Sequence, residues 1–279
     1  MSVSTLVVIY GKQIVESNTL LSLSKIGRGK LLIFNNGPTN ISTDCDTYNE
    51  LLSRFDDVLI IQDITNKPLS NIYNKFLSDY HEGSDCFFIF DDDTNIPKEF
   101  FDLSKKNSKD FDLILPKVFD GGVCFYPKEN HQVISKDYKF HSPYNILSIG
   151  SGLLISSNFL DVFYINNITP FDSRFVLYGV DFSFFKRINK YFSSSPEIKV
   201  FCEGHITHSL SKNSPDFEEW RHIERLYDVV LMAKYYSKSP LRRYFYLFKI
   251  ILNELKGGRF KYLNIIFKTF VKGRHPRSL

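Results

Sequence analysis

The chain has 279 residues, of which 43% are hydrophobic, 24% charged and 16% aromatic, a globular balance that excludes wholesale disorder and fits one large α/β domain or two small ones. Its net charge of +4 is uneven: residues 241–279 carry ten Lys/Arg and one acid, Glu254, a net +9, while the first 240 carry 25 basic and 30 acidic residues, a net −5. Four cysteines (Cys45, Cys86, Cys124, Cys202) with no C-x-x-C pair exclude a disulfide scaffold or a cysteine zinc site, and no apolar run approaches the ~18 residues of a membrane span, so a cytosolic protein is expected.

Over the first hundred residues, short apolar runs alternate with helical patterns. Leu6–Tyr10, Leu31–Phe34, Val58–Ile61 and Cys86–Phe90 read as strands, each ending at polar or Gly/Asn residues. Between the last two, Ile72, Tyr73, Phe76, Leu77 and Tyr80 recur at helical spacing, which predicts a helix over Ser70–Tyr80 with Ser70 as N-cap. Such alternation predicts a mainly parallel sheet covered by helices, with the functional residues just beyond the carboxyl ends of the strands. From Phe111 to about Ser157 the pattern turns more β-rich, with short strands at Leu113–Val118, Val123–Tyr126, Gln132–Ser135 and Leu147–Ile155. A helix over about Val180–Phe192, a strand around Lys199–Cys202 and a long helix over Phe217–Tyr236 follow. The basic tail completes the chain as two amphipathic helices, one through Leu241, Tyr244, Phe245, Phe248, Leu252 and Leu255, the other, after Gly257-Gly258, through Phe260, Leu263, Phe267 and Phe270.

The strand Cys86–Phe90 runs directly into Asp91-Asp92-Asp93. Three adjacent carboxylates at the end of a hydrophobic strand repel one another, and desolvation adds to the cost, so a cation is expected to compensate them. Alternation along a strand end lets Asp91 and Asp93 share one pocket while Asp92 points elsewhere. Oxygen ligands suit Mg²⁺ or Mn²⁺, which commonly bridge carboxylates and substrate phosphates. The plainer alternative is a solvated acidic turn in which Asp93 or Thr94 caps a helix over Pro97–Lys105. An Asp-nucleophile phosphohydrolase would need Thr at position 95, and this chain has Thr94-Asn95.

Six segments, in order, resemble family 2 glycosyltransferases, in particular the bacterial branch that builds O-antigen and capsule polysaccharides and includes rhamnosyltransferases. Phe34-Asn35-Asn36-Gly37 is similar to the family's second-strand end, and Asn66 to Asn74 to its N-x-G-x-x-x-A-x-N segment. Phe90 to Pro97 resembles D-x-D-S-x-x-P, and Ser148 to Ile155 the acceptor-side S-G segment. Phe171 to Arg187 is similar to F-D-x-x-F-x-x-Y-G-x-D-x-x-F-x-x-R, the most specific of the six, and His205 to Leu210 closes with H-S-L. Asn35 stands where many relatives have Asp and Pro68 where the N-x-G segment has Gly, which leaves the nucleotide base open.

The resemblance implies a GT-A, Rossmann-like fold over residues 1–212, with a nucleotide-sugar-binding half (1–110) and an acceptor-binding half (111–212), followed by a helical region over 213–279. It implies inverting, metal-dependent transfer of a hexosyl unit from a UDP- or dTDP-linked sugar to a hydroxyl of a polyprenyl-diphosphate-linked saccharide. Asp93, Asp91 and His208 are then the expected holders of Mg²⁺ or Mn²⁺, and Asp181 the expected base, in the first turn of its helix where the dipole favours the ionised form. An ordinary helix-start acid and a loop histidine are the alternatives for Asp181 and His208. Asn35, Asn66, Asn74, Asp91 and Arg187 are expected at the nucleotide, although Asn74 can equally satisfy backbone groups and Arg187 can equally pair with an acid. Gly150, Ser151 and Gly152 are expected at the acceptor, with a tight strand turn as the alternative. The tail is expected to dock at the inner face of the cytoplasmic membrane, unless its aromatic faces pack on the protein. Competing readings are a sugar nucleotidyltransferase, which lacks its Gly-rich phosphate loop after the first strand here, and a non-catalytic membrane-surface binder. Nucleic-acid binding is not expected, given the acidic body and the lack of a recognised module.

Overall fold

The computed structural model describes residues 1–143, 145–192, 198–210 and 218–278. The first half alternates β1 (Val3–Ile9), α1 (Asn18–Ile26), β2 (Lys30–Asn35), α2 (Asp46–Arg54), β3 (Asp57–Gln62), α3 (Leu69–Tyr80), β4 (Cys86–Asp91) and the short α4 (Lys98–Phe101). Seven strands and two further helices follow in chain order: β5 (Leu113–Asp120), β6 (Val123–Tyr126), β7 (Lys128–Glu129), β8 (Gln132–Val133), β9 (Tyr138–Lys139), β10 (Ile146–Leu147), β11 (Leu153–Ser156), α5 (Ser157–Ile165) and α6 (Gly179–Tyr191). The chain continues through β12 (Val200–Thr207), α7 (Glu219–Tyr236), α8 (Pro240–Lys256) and α9 (Leu263–Lys272).

The main sheet runs β3-β2-β1-β4-β11-β5-β12-β9, with β6 paired on β5. β1 to β4 pair in parallel, β12 is parallel to β5, and β11 is inserted antiparallel between β4 and β5. Because β2 and β4 flank β1 on opposite sides, the strand order reverses there, and a crevice opens beyond the carboxyl ends of β1 and β4.

Alternation along each strand divides the core. Leu6 and Val8 of β1 and Phe87 and Ile89 of β4 face a cluster with Tyr73 and Phe76 of α3 and Phe184 of α6. Val7, Ile9, Phe88 and Phe90 face a second cluster with Leu20 and Leu23 of α1 and Phe100 and Phe101. The parity continues past the end of β4, so Asp91 belongs to the α3 and α6 side and Asp92 to the α1 side. A third, smaller core of Leu226, Val230, Leu247, Tyr262 and Ile266 joins α7, α8 and α9.

Several expectations need correction. α3 starts at Leu69 without a side-chain cap, and the Ser70 hydroxyl instead donates to the Phe175 carbonyl at 2.6 Å. Leu147–Ile155 is not one strand: Ile146 and Leu147 pair in a separate small sheet, and the chain turns through Gly150–Gly152 before β11. The segment Gln132–Ser135 contributes only two strand residues, because β8 is a short hairpin arm. β12 runs on to Thr207, its register shifted between Cys202 and His205 around Gly204, whose φ is +68°. α5 is an additional helix, capped by the Ser156 hydroxyl, which accepts from the Phe159 amide. The expected start of the long helix at Phe217 lies outside the described residues.

Phe88 is fully buried, with its ring stacked 5.2 Å from both Phe90 and Phe101. Phe88→Ala is expected to lower the unfolding free energy by about 3–5 kcal/mol, read from the urea midpoint. A midpoint within error of wild type would contradict this packing.

Candidate functional site

A cavity of about 570 Å³ lies at the crevice, bounded by the ends of β1 and β4, the start of α6, the residues after β12 and one face of α7. Asp91, Asp92, Asp93, Asp181 and His208 all border it. Two long-range features bring them together. Asn95 and Thr207 form an antiparallel bridge, with the Asn95 amide donating to the Thr207 carbonyl at 2.8 Å, so His208 is carried to the acidic loop. β11 pairs with β4, and the Asp91 amide donates to the Ser151 hydroxyl at 3.1 Å.

The three acids have different partners. Asp92 turns to the α1 side, where Lys12 Nζ lies 2.5 Å from its Oδ1 and the Tyr10 amide donates to Oδ2 at 3.1 Å. Asp91 accepts from the Tyr73 hydroxyl at 3.3 Å and lies 3.9 Å from His208 Nε2. Asp93 Oδ1 lies 3.0 Å from His208 Nδ1, which also meets the Thr94 hydroxyl at 3.0 Å. Asp92 and Asp93 stand in a turn, as the plainer alternative has it, but Asp91 and Asp93 also face an imidazole and Asp92 a lysine.

Burial pushes the Asp91 carboxyl up to about 6, with Asp93 and Asp92 adding to the effect and His208 opposing it. Burial acts the same way on Asp93, but contact with His208 outweighs it and holds the carboxyl below its usual value. Burial disfavours the His208 imidazolium, yet Asp93 and Asp91 raise its affinity for a proton above the ordinary level.

Asp181 sits in the first turn of α6, as the spacing predicts. Its acidity differs from the dipole argument: burial, joined by the charge of Asp91, pushes the carboxyl up to about 7, with the Gly150 amide working the other way. Desolvation wins because the group is enclosed, whereas the dipole effect is worth only a few tenths of a kcal/mol to about 2 kcal/mol.

The Gly150-Ser151-Gly152 segment serves the site's own side chains. A Cβ at Gly150 would lie 2.3 Å from Asp181 Oδ1, and Gly152, at φ +89°, would place one 2.7 Å from Pro116. The Ser151 hydroxyl also meets that of Thr94 at 2.6 Å. This is the tight-turn alternative, with the added consequence of positioning Asp91 and Asp181.

The other expected residues lie apart from the cavity lining. Asn35 is fully buried, donating to Gln62 at 2.7 Å and to the Thr39 carbonyl at 2.8 Å while accepting from the Gly37 amide. Asn66 adopts a φ of +52°, and its carbonyl accepts from Arg277. Asn74 bonds both backbone groups of Phe171, at 2.8 and 2.9 Å, and so fixes the segment leading to α6. Arg187 lies 3.6 Å from Asp172, so of its two expectations the geometry matches the acid pair. Sequence reasoning missed Lys12, Tyr73, Thr94 and Asp228. Asp228 was the one signalled, as an acid between the apolar residues Leu226, Val230 and Leu231. Burial raises its carboxyl well above the usual range, Glu224 and Asp181 add to this, and the Gly179 amide opposes it.

Among the described residues, no three His, Cys, Asp or Glu side chains already stand in metal-ligand geometry. The donors nonetheless fit a hard divalent cation. Two carboxylates converge on one imidazole, and the buried Asp93 Oδ1 has only the ring contact, without hydrogen-bond geometry. Two or three protein ligands suffice where substrate phosphates complete the shell.

No family model and no curated protein matches the chain. Among solved structures, S. aureus TarS matches over 91% of this chain at 13% identity and a TM-score of 0.55, and the chain spans 43% of that TarS chain. TarS 1–349 in complex with UDP-GlcNAc matches at 12% identity and a TM-score of 0.51, over 98% of this chain and 79% of that one. The same protein in complex with UDP gives 14% and 0.52, over 92% and 72%. The likeness is one of fold: a GT-A, Rossmann-like mixed sheet, mainly parallel and flanked by helices.

The raised Asp181 and Asp91 carboxyls have a consequence for stability. Between the ordinary carboxyl pKa of 3.8 and the folded values of about 6 and about 7, the folded chain binds more protons than the unfolded one. Both groups therefore subtract stability as pH rises through that window. Asp181→Asn removes one of them, so in EDTA its urea midpoint is expected to gain on wild type more at pH 8 than at pH 4. An equal difference at both pH values would place Asp181 in a solvated setting.

Proposed function

We propose that the chain is an inverting glycosyltransferase that moves a sugar from a nucleotide-diphosphate donor, UDP- or dTDP-linked, to a hydroxyl of a saccharide acceptor. The observation that carries this reading is the convergence of Asp91, Asp93 and His208 in a single cavity that Asp181 also lines, near enough to feel the charge of Asp91. The GT-A fold supports it, as do the TarS structures with UDP-GlcNAc and UDP bound. The ordered motifs support the O-antigen and capsule branch, with a polyprenyl-diphosphate-linked acceptor.

In this reading Asp91, Asp93 and His208 would hold Mg²⁺ or Mn²⁺, which supplies positive charge to the departing diphosphate. Asp181 takes the proton of the acceptor hydroxyl. A carboxyl pushed up to about 7 suits that task at neutral pH better than an ordinary one, because base strength rises with pKa. Tyr73 donates to Asp91, and Ser151, through the Asp91 amide and the Thr94 hydroxyl, ties the acidic loop to β11. Asn35 and Asn74 act indirectly, by shaping the loops around the nucleotide.

Purified protein with Mn²⁺, screened against nucleotide sugars, is expected to hydrolyse at least one donor slowly. Asp93→Asn should abolish turnover with a wild-type melt, and Asp181→Asn should bind donor yet transfer at least ~10²-fold more slowly. Full activity of Asp93→Asn, or of wild type in EDTA, would overturn the metal role. Donor binding lost with turnover intact would overturn the base role.

The basic tail supports association with an anionic inner-membrane surface. One face of α8 and α9 packs on α7 through Leu247 and Ile266, and the only acid, Glu254, is buried between Arg259 and His222. The other face leaves Leu241 82%, Phe248 57% and Val271 79% exposed beside Arg242, Arg243, Lys249 and Lys268. Among the described residues no helix is long and apolar enough to cross a membrane. An interfacial helix instead combines apolar anchors with about 1 kcal/mol per basic residue near anionic lipid. The full chain is expected to float with anionic liposomes at low salt and leave them at high salt, and residues 1–240 alone should not float. Equal flotation of both, or none, would remove the membrane role.

A further inference from the structure

α7 brings Arg225, Asp228, Val229 and Met232 to the cavity wall, a spacing that puts them on one helical face. Asp228 stands out among them. It is 6% exposed, and neither carboxylate oxygen makes a hydrogen bond of full geometry among the described residues, although the Gly179 amide lies close enough to favour the ionised form. An enclosed carboxyl so poorly bonded costs stability, and native folds rarely keep one without a use. The fold makes room for it: a Cβ at Gly179 would lie 2.8 Å from Asp228 Cγ, so only glycine lets the carboxyl approach the first turn of α6. Gly179 is two residues from Asp181 in that same turn. Asp228 thus lines, where α6 and α7 meet, the same cavity as the Asp91, Asp93 and His208 cluster.

The surrounding wall is apolar and aromatic, with Leu177, Tyr178, Phe182, Val229 and Met232. A pyranose offers both chemistries, a face of C–H groups that rests on aromatic and aliphatic carbon and a rim of hydroxyls that needs acceptors. We propose that Asp228 is a specificity-determining residue for the acceptor, its carboxyl hydrogen-bonding a saccharide hydroxyl neighbouring the one that Asp181 deprotonates. This rests on the transferase reading above. It adds that the helical region after β12 supplies part of the acceptor site, which the six ordered motifs do not include.

The test uses full-length protein carrying Asp228→Asn or Asp228→Leu, with octyl glycosides of glucose, galactose, rhamnose and N-acetylglucosamine as acceptor probes. Donor hydrolysis without acceptor is the comparator. The expected result is melting temperatures equal to or above wild type, since the replaced carboxyl is buried without a hydrogen bond of full geometry. Donor hydrolysis stays within twofold, and kcat/KM for the best acceptor probe falls at least about tenfold, the scale of an unmatched polar contact. Melts several degrees below wild type in both variants would assign Asp228 to the fold and overturn the proposal. Donor turnover with acceptor transfer untouched by Asp228→Asn, or with none of the four probes accepted by wild type, would overturn it alone. Failure of wild type to turn over any nucleotide sugar would overturn the transferase reading, and this inference with it.

Discussion

Three consecutive carboxylates at the end of a buried strand are the constraint around which this molecule is arranged. β4 is fully enclosed from Cys86 to Phe90, so the acids that follow emerge from a region of low dielectric, where like charges cannot stand together unaided. The chain resolves the conflict by parity. Asp92 leaves toward Lys12 on one side of the sheet, while Asp91 and Asp93 leave toward His208 on the other. What remains is a partly compensated acidic pair, with Asp91 still raised to about 6, poised for a cation.

Much of the remaining architecture holds this pair in place. β11 enters antiparallel beside β4, and its preceding turn delivers Ser151 to the Asp91 amide and opens space at Gly150 for Asp181. β12 reaches the same end of the sheet and, through the Asn95 and Thr207 bridge, hands over His208. Asn74 secures Phe171, and with it the approach to α6, by bonding both of its backbone groups. The interactions that make the site thus join segments more than fifty residues apart, through two backbone pairings and the side chains of Asn74, Ser151 and His208.

The helices after β12 act at two surfaces. α7 closes the cavity on one side and anchors α8 and α9 on the other. The C-terminal residues return to the body, where the Arg277 guanidinium reaches both Glu224 and the Asn66 carbonyl. α7 thus lines the cavity with one face and carries α8 and α9, whose outer faces leave aromatic and basic groups exposed.

The amino-acid sequence by itself determined the alternation of strands and helices, the position of the acids at a strand end, the placement of Asp181 in a first helical turn and the order of the motifs. These are local properties, set by side-chain period and by neighbours within a few residues. Only the tertiary structure decided what each polar group meets. Asn35 turned inward to Gln62, Arg187 to Asp172, and the tail divided its faces between α7 and solvent. Asp181 was read as a base kept ionised by the helix dipole, but enclosure reversed the direction of its shift. Asp228 gained its place only because α7 packs against Gly179, forty-nine residues earlier in the chain. Burial and partnership depend on segments remote in sequence, and no local pattern encodes the dielectric a side chain will experience.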